Sequence, residues 1–180
     1  MISSPVTQAE VSPPRDTFED KYRKYFPRVF GYICARVGSH HLAEDLASDV
    51  FERAYAKASS LRSEEAFSTW LFTIARNAII SHGRKHSRET IVDPDVIRDI
   101  SPHSASIESE LLEREELQML ATLVREFPQR EQDIIALKFD AELPNTQIAE
   151  IMGLSEPNVR VIIFRTLKKL REMVIAERRR

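Results

Sequence analysis

Apolar side chains recur at the spacing of a single helical face in the first part of the chain. From Phe18 to Val37 they are three or four residues apart, and the pattern stops at Gly38. This predicts a helix that ends at the glycine, with a second helix starting near Ser39. Glu44 and Asp45 suit the unpaired backbone N–H groups at that second start. The core face predicted for the second helix comprises Leu46, Val50, Phe51 and Ala54.

The same periodicity continues along the rest of the chain and predicts further helices. A third amphipathic stretch runs from Phe67 to about Gly83. After a stretch without periodicity, apolar positions from Leu112 to Phe127 predict another helix, which Pro128 closes. Shorter helices follow. No convincing strand with period two occurs, so the predicted fold class is all-α, built as two small helical domains.

Four segments follow from where the periodicity is present and where it is absent. Residues 1–16 contain three prolines among polar residues and are predicted to be a disordered N-terminal tail. Residues 17–90 form the first predicted domain. Residues 91–110, which contain two prolines and several acidic residues, are predicted to be a flexible linker. Residues 111–180 form the second predicted domain.

Composition excludes several classes of protein. The chain has 180 residues, of which 42% are hydrophobic and 30% charged, a balance typical of a globular chain. No stretch approaches the roughly 18 apolar residues of a membrane span, and the N-terminus lacks a basic start followed by an apolar run. We therefore expect a cytoplasmic protein without membrane insertion. The single cysteine, Cys34, excludes an internal disulfide framework.

Charge is unevenly distributed along the chain, although the net charge is only -2. Residues 67–90 contain four basic residues and one acidic residue, and residues 158–180 contain eight basic and two acidic residues. Between them, residues 91–116 contain two basic and eight acidic residues. This asymmetry indicates two separate surfaces that could bind a polyanion.

Residues 145–169 give the sharpest local signal, the spacing of a helix-turn-helix. Small Ala149, turn-forming Gly153 and apolar Val159 occupy its characteristic positions, and Ser155 is suited to cap the second helix. The candidate DNA-binding residues on that second helix are Glu156, Asn158, Arg160, Val161, Phe164, Arg165 and Lys168. The alternative is a helical corner whose basic face is only solvated.

Residues 67–88 interleave aromatic and basic residues, a mixture suited to single-stranded nucleic acid. Trp70 has the spacing of a core residue and is more often buried than a stacking platform. The polar and basic positions that follow it are better candidates for DNA binding. They are Arg76, Asn77, Ser81, Arg84 and Lys85.

Residues 43–53 concentrate acidic side chains on one amphipathic helix. Asp45 and Asp49 are four residues apart and repel each other unless a partner supplies positive charge. Such a partner could be another protein, and the alternative is a solvated surface.

Taken in this order, the segments resemble the sigma-70 family of bacterial RNA polymerase initiation factors, in its extracytoplasmic-function (ECF) group. Three motifs carry the resemblance. Residues 43–46, Ala-Glu-Asp-Leu, followed by Asp49 and Phe51, resemble the core-polymerase-binding helix, and residues 67–77 resemble the helix that melts the promoter. Residues 127–131, Phe-Pro-Gln-Arg-Glu, open what resembles region 4, the domain with the helix-turn-helix.

The resemblance implies a function and partners. The chain would bind core RNA polymerase, direct it to promoter DNA and be held by an anti-sigma factor. Region 2 (residues 17–90) would dock on the largest polymerase subunit through Asp45, Leu46, Asp49, Phe51 and Glu52. It would bind the melted minus-ten element through Arg62, Arg76, Asn77, Ser81, Arg84 and Lys85. Region 4 would read the minus-thirty-five duplex through the helix-turn-helix residues named above.

Three sites, one of them a pair of residues, depart from the family pattern. Ser48 stands where the family usually has Gln, and Ser81 where Asp or Asn is common. Val161 and Ile162 replace a usual Ser-Arg pair in the promoter-reading helix. We therefore expect a differently specified minus-thirty-five contact, in which Val161 touches a thymine methyl group.

Two alternative functions explain less of the sequence. A two-domain helix-turn-helix regulator that binds duplex DNA without polymerase explains residues 145–169 but not the two N-terminal patterns. An enzyme is disfavoured, since the sequence has no nucleophile motif or phosphate loop, and its five histidines lack metal-ligand spacing. We therefore predict no catalytic residue, no metal and no cofactor.

Overall fold

The computed structural model describes residues 17–57, 63–85 and 107–179, and helices make up most of these ranges. No strand occurs among them, in agreement with the all-α prediction. The seven described helices are α1 (Phe18–Val37), α2 (His40–Lys57), α3 (Glu64–Lys85), α4 (Ile107–Arg125), α5 (Gln129–Phe139), α6 (Asn145–Met152) and α7 (Glu156–Glu177).

Two predicted segments fall mainly outside the described ranges. They are the tail, residues 1–16, and residues 91–106 of the predicted linker. Helix α4 begins at Ile107, so residues 107–110 are its first turn rather than linker.

Local chemistry fixes both ends of α1. The Thr17 hydroxyl accepts the backbone N–H of Asp20 at 3.2 Å, and the Asp20 carboxylate accepts the backbone N–H of Thr17 at 3.0 Å. At the other end Gly38 adopts φ 67°, a left-handed conformation that favours a residue without Cβ. The helix therefore ends at Val37, as the sequence predicts.

The start of α2 differs from the prediction in one respect. Ser39 does precede the helix, and its hydroxyl accepts the backbone N–H of Leu42 at 3.4 Å. Glu44 and Asp45, however, lie beyond the first turn, which contains no acidic residue. Their predicted role at the helix start is wrong, because the free N–H groups and the dipole field are confined to that turn.

Helices α1, α2 and α3 form the N-terminal unit around a shared apolar core. The predicted core face of α2 is buried, as expected. Its partners on α1 and α3 include Val29, Ile33, Phe67 and Leu71, none of which is exposed to solvent. Burying one such side chain fully contributes about 1.5–3 kcal/mol to stability.

Helices α4 to α7 form the C-terminal unit, in which Ile134, Leu137, Ile148 and Val159 are fully buried. The two units also pack on each other, α1 against α5 and α3 against α6. Their buried side chains form one continuous cluster. This packing places one side of α3 against the C-terminal unit.

None of the helices in the described ranges is both long enough and apolar enough to cross a bilayer.

Candidate functional site

The outer side of α2 presents an acidic face, which we define as Glu44, Asp45, Asp49 and Glu52. All four side chains are exposed. His40 Nδ1 lies 3.7 Å from a Glu44 carboxylate oxygen, and His41 Nδ1 lies 3.9 Å from an Asp45 oxygen. No basic side chain in the described ranges forms an ion pair with Asp49 or Glu52. Within the described ranges, the acidic face therefore carries negative charge that no lysine or arginine neutralises.

Two residues of the predicted polymerase-binding set lie beneath this face. Leu46 is 8% exposed and Phe51 is 4% exposed, and both belong to the core of the N-terminal unit. The Phe51 ring packs edge-on against Tyr22 of α1, with ring centroids 4.8 Å apart. Most of each side chain therefore lies in the core that supports the acidic face from beneath.

Helix α3 has one exposed polar side among the predicted minus-ten residues. Asn77, Ser81 and Arg84 are exposed and lie three or four residues apart, so they share a face. Lys85 is the last residue of α3. Arg62 lies outside the described residues.

The aromatic residues of α3 pack into the core rather than forming a stacking platform. Phe72 is fully buried, and Trp70 is partly buried against the cluster, with its ring centroid 6.3 Å from that of Phe67. The preference for a core role of Trp70 is therefore consistent with its packing.

Arg76 is held away from the exposed side of α3. Its Nε donates to the Asp133 carboxylate of α5 at 3.2 Å, and its side chain is 26% exposed. Of the predicted minus-ten residues with described side chains, Arg76 is the one engaged by the C-terminal unit.

Helices α6 and α7 form the predicted helix-turn-helix. Gly153 adopts φ 65° between them, and the backbone N–H of Leu154 donates to the Ala149 carbonyl at 2.8 Å. Val159 is fully buried against the first helix. Ser155 occupies the N-cap position with extended backbone, but its side chain makes no capping hydrogen bond. The turn is therefore set mainly by Gly153 and by the buried Val159.

The outward side of α7 presents the reading face, defined as Asn158, Arg160, Val161, Phe164, Arg165 and Lys168. All six side chains are exposed. Phe164 is 69% and Val161 44% exposed, unusually high for apolar residues. Glu156, only half-buried, accepts a hydrogen bond at 2.6 Å from Arg160, one turn along the helix. A first-turn carboxylate thus orients an arginine at the start of the face.

Sequence reasoning missed the polar groups that join the two units. Asp133 of α5 binds Arg36 of α1 at 2.6 Å as well as Arg76. Ser68 of α3 donates to Gln147 of α6 at 3.0 Å in a buried hydrogen bond. The sequence contains one signal of this contact. Asp133 lies directly before the apolar run that begins at Ile134, so it adds a charge to a face that is otherwise suited to burial.

A second carboxyl of the C-terminal unit also faces α1, and no basic side chain in the described ranges forms an ion pair with it. Asp140 follows α5 directly, and its β-carbon lies 3.9 Å from the position that a side chain at Gly31 would occupy. Desolvation by burial raises the pKa of Asp140 to about 7. A glycine at position 31 lets α1 and α5 approach closely at this point.

Removing the Asp140 charge should stabilise the protein above neutral pH. In the unfolded chain this carboxyl ionises near its ordinary pKa of 3.8, but in the folded chain only near 7. The unfolded state therefore binds fewer protons between these values, and the cost to folding grows with pH until it is complete above about 7. We expect Asp140→Asn to raise the free energy of unfolding by roughly 2 kcal/mol at pH 8.

That gain should shrink as the pH falls and disappear below about pH 3, where both states of the wild-type carboxyl are protonated. Urea unfolding of the two proteins at pH 4 and pH 8 measures the difference. An equal gain at both pH values would contradict the assigned origin in the Asp140 charge.

The described part of the chain offers no metal centre. No group of three or more potential ligands among His, Cys, Asp and Glu comes together within it. The candidate surfaces described above are the acidic face, the exposed side of α3 and the reading face.

Family models match both helical units. The description "Sigma-70 region 2" fits residues 22–89, and "Sigma-70, region 4" fits residues 123–172. The first match contains the acidic face and α3, and the second contains α5, α6 and the reading face. Together the two matches include every helix that carries a candidate surface.

Characterised relatives match the chain over most of its length. The ECF RNA polymerase sigma-E factor of Haemophilus influenzae is 30% identical over 159 residues, covering 84% of this chain and 82% of the relative. The ECF RNA polymerase sigma factor SigM of Bacillus subtilis is 29% identical over 157 residues, covering 87% of this chain and 94% of the relative.

Solved structures share the fold. The sigma factor RpoE of Bartonella quintana, in complex with the anti-sigma factor NepR, superposes with a TM-score of 0.66 at 23% identity. The match covers 87% of this chain and 96% of that one. CnrH, in complex with the cytosolic domain of CnrY, gives a TM-score of 0.65 at 18% identity, with 88% of each chain covered.

A helix-turn-helix unit joined to a region-2 unit defines the class of sigma-70 initiation factors. Within that class, the chain belongs to the family of ECF RNA polymerase sigma factors. The alternative of a duplex-binding regulator that acts without polymerase is not supported, because the matches include the N-terminal unit as well as the helix-turn-helix.

Proposed function

We infer that the chain acts by docking on core RNA polymerase through the acidic face while its two helical units hold two parts of one promoter. The observation that carries this proposal is the coexistence of three exposed surfaces with different chemistry on one chain. One is acidic and not neutralised, one is polar and basic, and one is the outer side of a helix-turn-helix. In this proposal the chain itself catalyses no reaction and works in the cytoplasm, where the polymerase works.

The acidic face suits a protein partner that supplies cations. Asp45, Asp49 and Glu52 occur at intervals of three or four residues, so their carboxylates line one side of α2. Leu46 and Phe51 anchor the helix from beneath. A rigid row of uncompensated carboxylates favours a basic partner surface and speeds its association.

The exposed side of α3 suits an unpaired DNA strand. Asn77 and Ser81 can donate to and accept from base edges, and Arg84 can hold the backbone. A base that leaves the duplex loses stacking and pairing worth a few kcal/mol, which such contacts must offset. Region 2 would thereby stabilise the open minus-ten element. Arg62 and Lys85 remain candidates for the same strand.

The reading face suits the major groove of the minus-thirty-five duplex. Arg160 and Arg165 can donate to guanine or to phosphate, and Asn158 can pair with adenine. The exposed Val161 and Phe164 can contact thymine methyl groups, which accounts for large apolar side chains on the outside of α7. Glu156 and Lys168 would flank these contacts.

An anti-sigma factor is a further proposed partner. The two solved structures reported above were obtained as complexes, one with the anti-sigma factor NepR and one with the cytosolic domain of CnrY. The exposed apolar residues of the reading face offer such a protein a surface that DNA also needs, and one occupant would then exclude the other.

In vitro transcription with purified core polymerase tests the function directly. The full chain and core are mixed with promoter fragments enriched from genomic DNA, and permanganate reactivity of unpaired thymines reports strand opening. We expect opening and a run-off transcript only when both proteins are present. Binding of the chain to duplex DNA without retention on core, and without opening, would refute the proposal in favour of a simple regulator.

A further inference from the structure

One buried carboxylate joins the two helical units. Asp133 Oδ1 accepts from Arg36 Nε at 2.6 Å, and its Oδ2 accepts from Arg76 Nε at 3.2 Å. The side chains of Asp133 and Arg36 are 7% and 9% exposed. Arg36 also donates to the Gln132 side chain. Both arginines belong to the N-terminal unit, and both point at an anion that belongs to the other unit.

Positive charge exceeds negative charge around this carboxylate. Two guanidinium groups share the single charge of Asp133. A third, Arg125, lies close enough to Arg36 that burial, together with the Arg36 charge, lowers the pKa of Arg125. The N-terminal unit therefore contributes an arginine pair that fits one small anion and is only partly compensated by the single charge of Asp133.

The surrounding interface leaves several polar groups unsatisfied. Among the described residues, the Tyr32 hydroxyl, the Thr69 hydroxyl and the Asn145 side-chain oxygen are buried without a hydrogen-bond partner. Thr69 and Asn145 belong to α3 and α6, which pack on each other. Tyr32 lies close enough to Asp133 that burial, together with the Asp133 charge, raises the pKa of the Tyr32 hydroxyl. Each unsatisfied group opposes the packed arrangement, because separation would return it to water. These groups lower the cost of opening a contact that the continuous apolar cluster and the Ser68–Gln147 hydrogen bond hold together.

We propose that Arg36 and Arg76 form a binding site for a DNA backbone phosphate, which Asp133 occupies as an internal competitor while the two units are packed together. The proposal rests on the function proposed above, in which α3 lies along an unpaired strand. Separation of the units removes Asp133 and exposes the pair. Arginine is suited to this exchange, because its fork of donors fits a carboxylate and a phosphate in the same way.

The position of Arg76 on α3 supports the assignment. It directly precedes Asn77, the first residue of the exposed polar side, so a phosphate on Arg76 would belong to the same strand. Arg36 then adds a cation to region 2 that no sequence motif indicates. In the packed arrangement Asn77, Ser81 and Arg84 stay exposed, whereas only 9% of the Arg36 side chain and 26% of the Arg76 side chain are exposed. The competitor therefore weakens strand binding without hiding the whole surface.

The variant Asp133→Asn in the full chain tests the competitor. Fluorescence anisotropy measures binding to an oligothymidylate of about 20 nucleotides, a sequence-independent probe of backbone contacts. X-ray scattering of the free protein measures its radius of gyration. We expect the units of the variant to separate, which increases the radius of gyration. Binding should tighten at least about tenfold, the gain expected if the site is exposed in one wild-type molecule in ten and in every molecule of the variant.

Two further variants isolate the cause. The first is Asp140→Asn, which at pH 8, above its pKa of about 7, removes the same charge near the same helix. No arginine in the described ranges forms an ion pair with this carboxyl, so the change should not tighten binding. Asp133→Asn combined with Arg36→Gln and Arg76→Gln should keep the larger radius but lose the gain in affinity. This triple variant keeps the basic residues of α7 unchanged, so a gain in affinity that came from oligothymidylate bound to α7 would persist in it.

The wild-type chain provides a measurement that needs no folded variant. Neutron scattering at the contrast that matches DNA should show its radius of gyration increase when oligothymidylate binds. No increase on binding would overturn the proposal. So would a triple variant that retains the gain, or an Asp140→Asn variant that binds as tightly as Asp133→Asn.

Transcription with core polymerase separates this proposal from the function on which it rests. A chain that supports transcription while Asp133→Asn binds the probe like wild type overturns the competitor alone. A chain that shows the competitor effect without transcription contradicts the polymerase function and supports the phosphate site.

Discussion

Core RNA polymerase should fail to retain the double variant Asp45→Arg, Asp49→Arg, with affinity at least about 100-fold below that of the wild type. Both side chains are exposed on the acidic face, and like charges brought together in a complex cost several kcal/mol. Two reversals place four units of changed charge against a basic partner surface. Co-purification with core and competition for core binding measure the loss.

The fold should survive this change. Asp45 and Asp49 repel each other one turn apart, and neither contributes to the apolar core. Glu115→Arg with Glu126→Arg is a matched control, since both glutamates are exposed and the change in net charge is equal. We expect this control to bind core normally. Wild-type retention of the Asp45, Asp49 variant, or equal loss by the control, would refute the docking surface.

Helix boundaries were predictable because local chemistry determines them. Gly38 and Gly153 both adopt left-handed backbone, and each ends a helix where apolar periodicity stops. The buried side of α2 was equally predictable, because the spacing of apolar residues along a helix identifies the side chains that face the core. Leu46 and Phe51 belong both to the core pattern and to the resemblance motif, so the sequence assigns each of them two roles, and their low exposure adds that most of each side chain lies in the core.

The contact between the two units could not be predicted from the sequence. Arg36 and Asp133 are 97 positions apart, and no local pattern pairs them. A lone arginine at the end of α1 is typical of favourable interaction with a helix dipole, an interpretation that requires no distant partner. The sequence also could not show that Asp133 of the other unit holds Arg76, a residue that stays a predicted DNA contact.

Arg165→Ala is expected to weaken binding to the preferred minus-thirty-five duplex by roughly 10- to 100-fold, or about 1–3 kcal/mol. Arg165 is exposed on the reading face one residue after Phe164, where a donor fork can reach a base edge. The loss should be largest for duplexes enriched by the wild-type protein from a random library. Discrimination at one base position should relax, because the variant no longer distinguishes guanine there.

Lys168→Ala serves as the matched comparison, since Lys168 lies further along α7 and suits a backbone contact. This change should weaken binding about equally for every sequence and reduce the salt slope of the binding constant by about 1. Titration of both variants against preferred and scrambled duplexes at several salt concentrations separates the two behaviours. If Arg165→Ala instead loses affinity uniformly and with the reduced slope, Arg165 holds a phosphate, and the promoter sequence is read by Asn158, Val161 and Phe164.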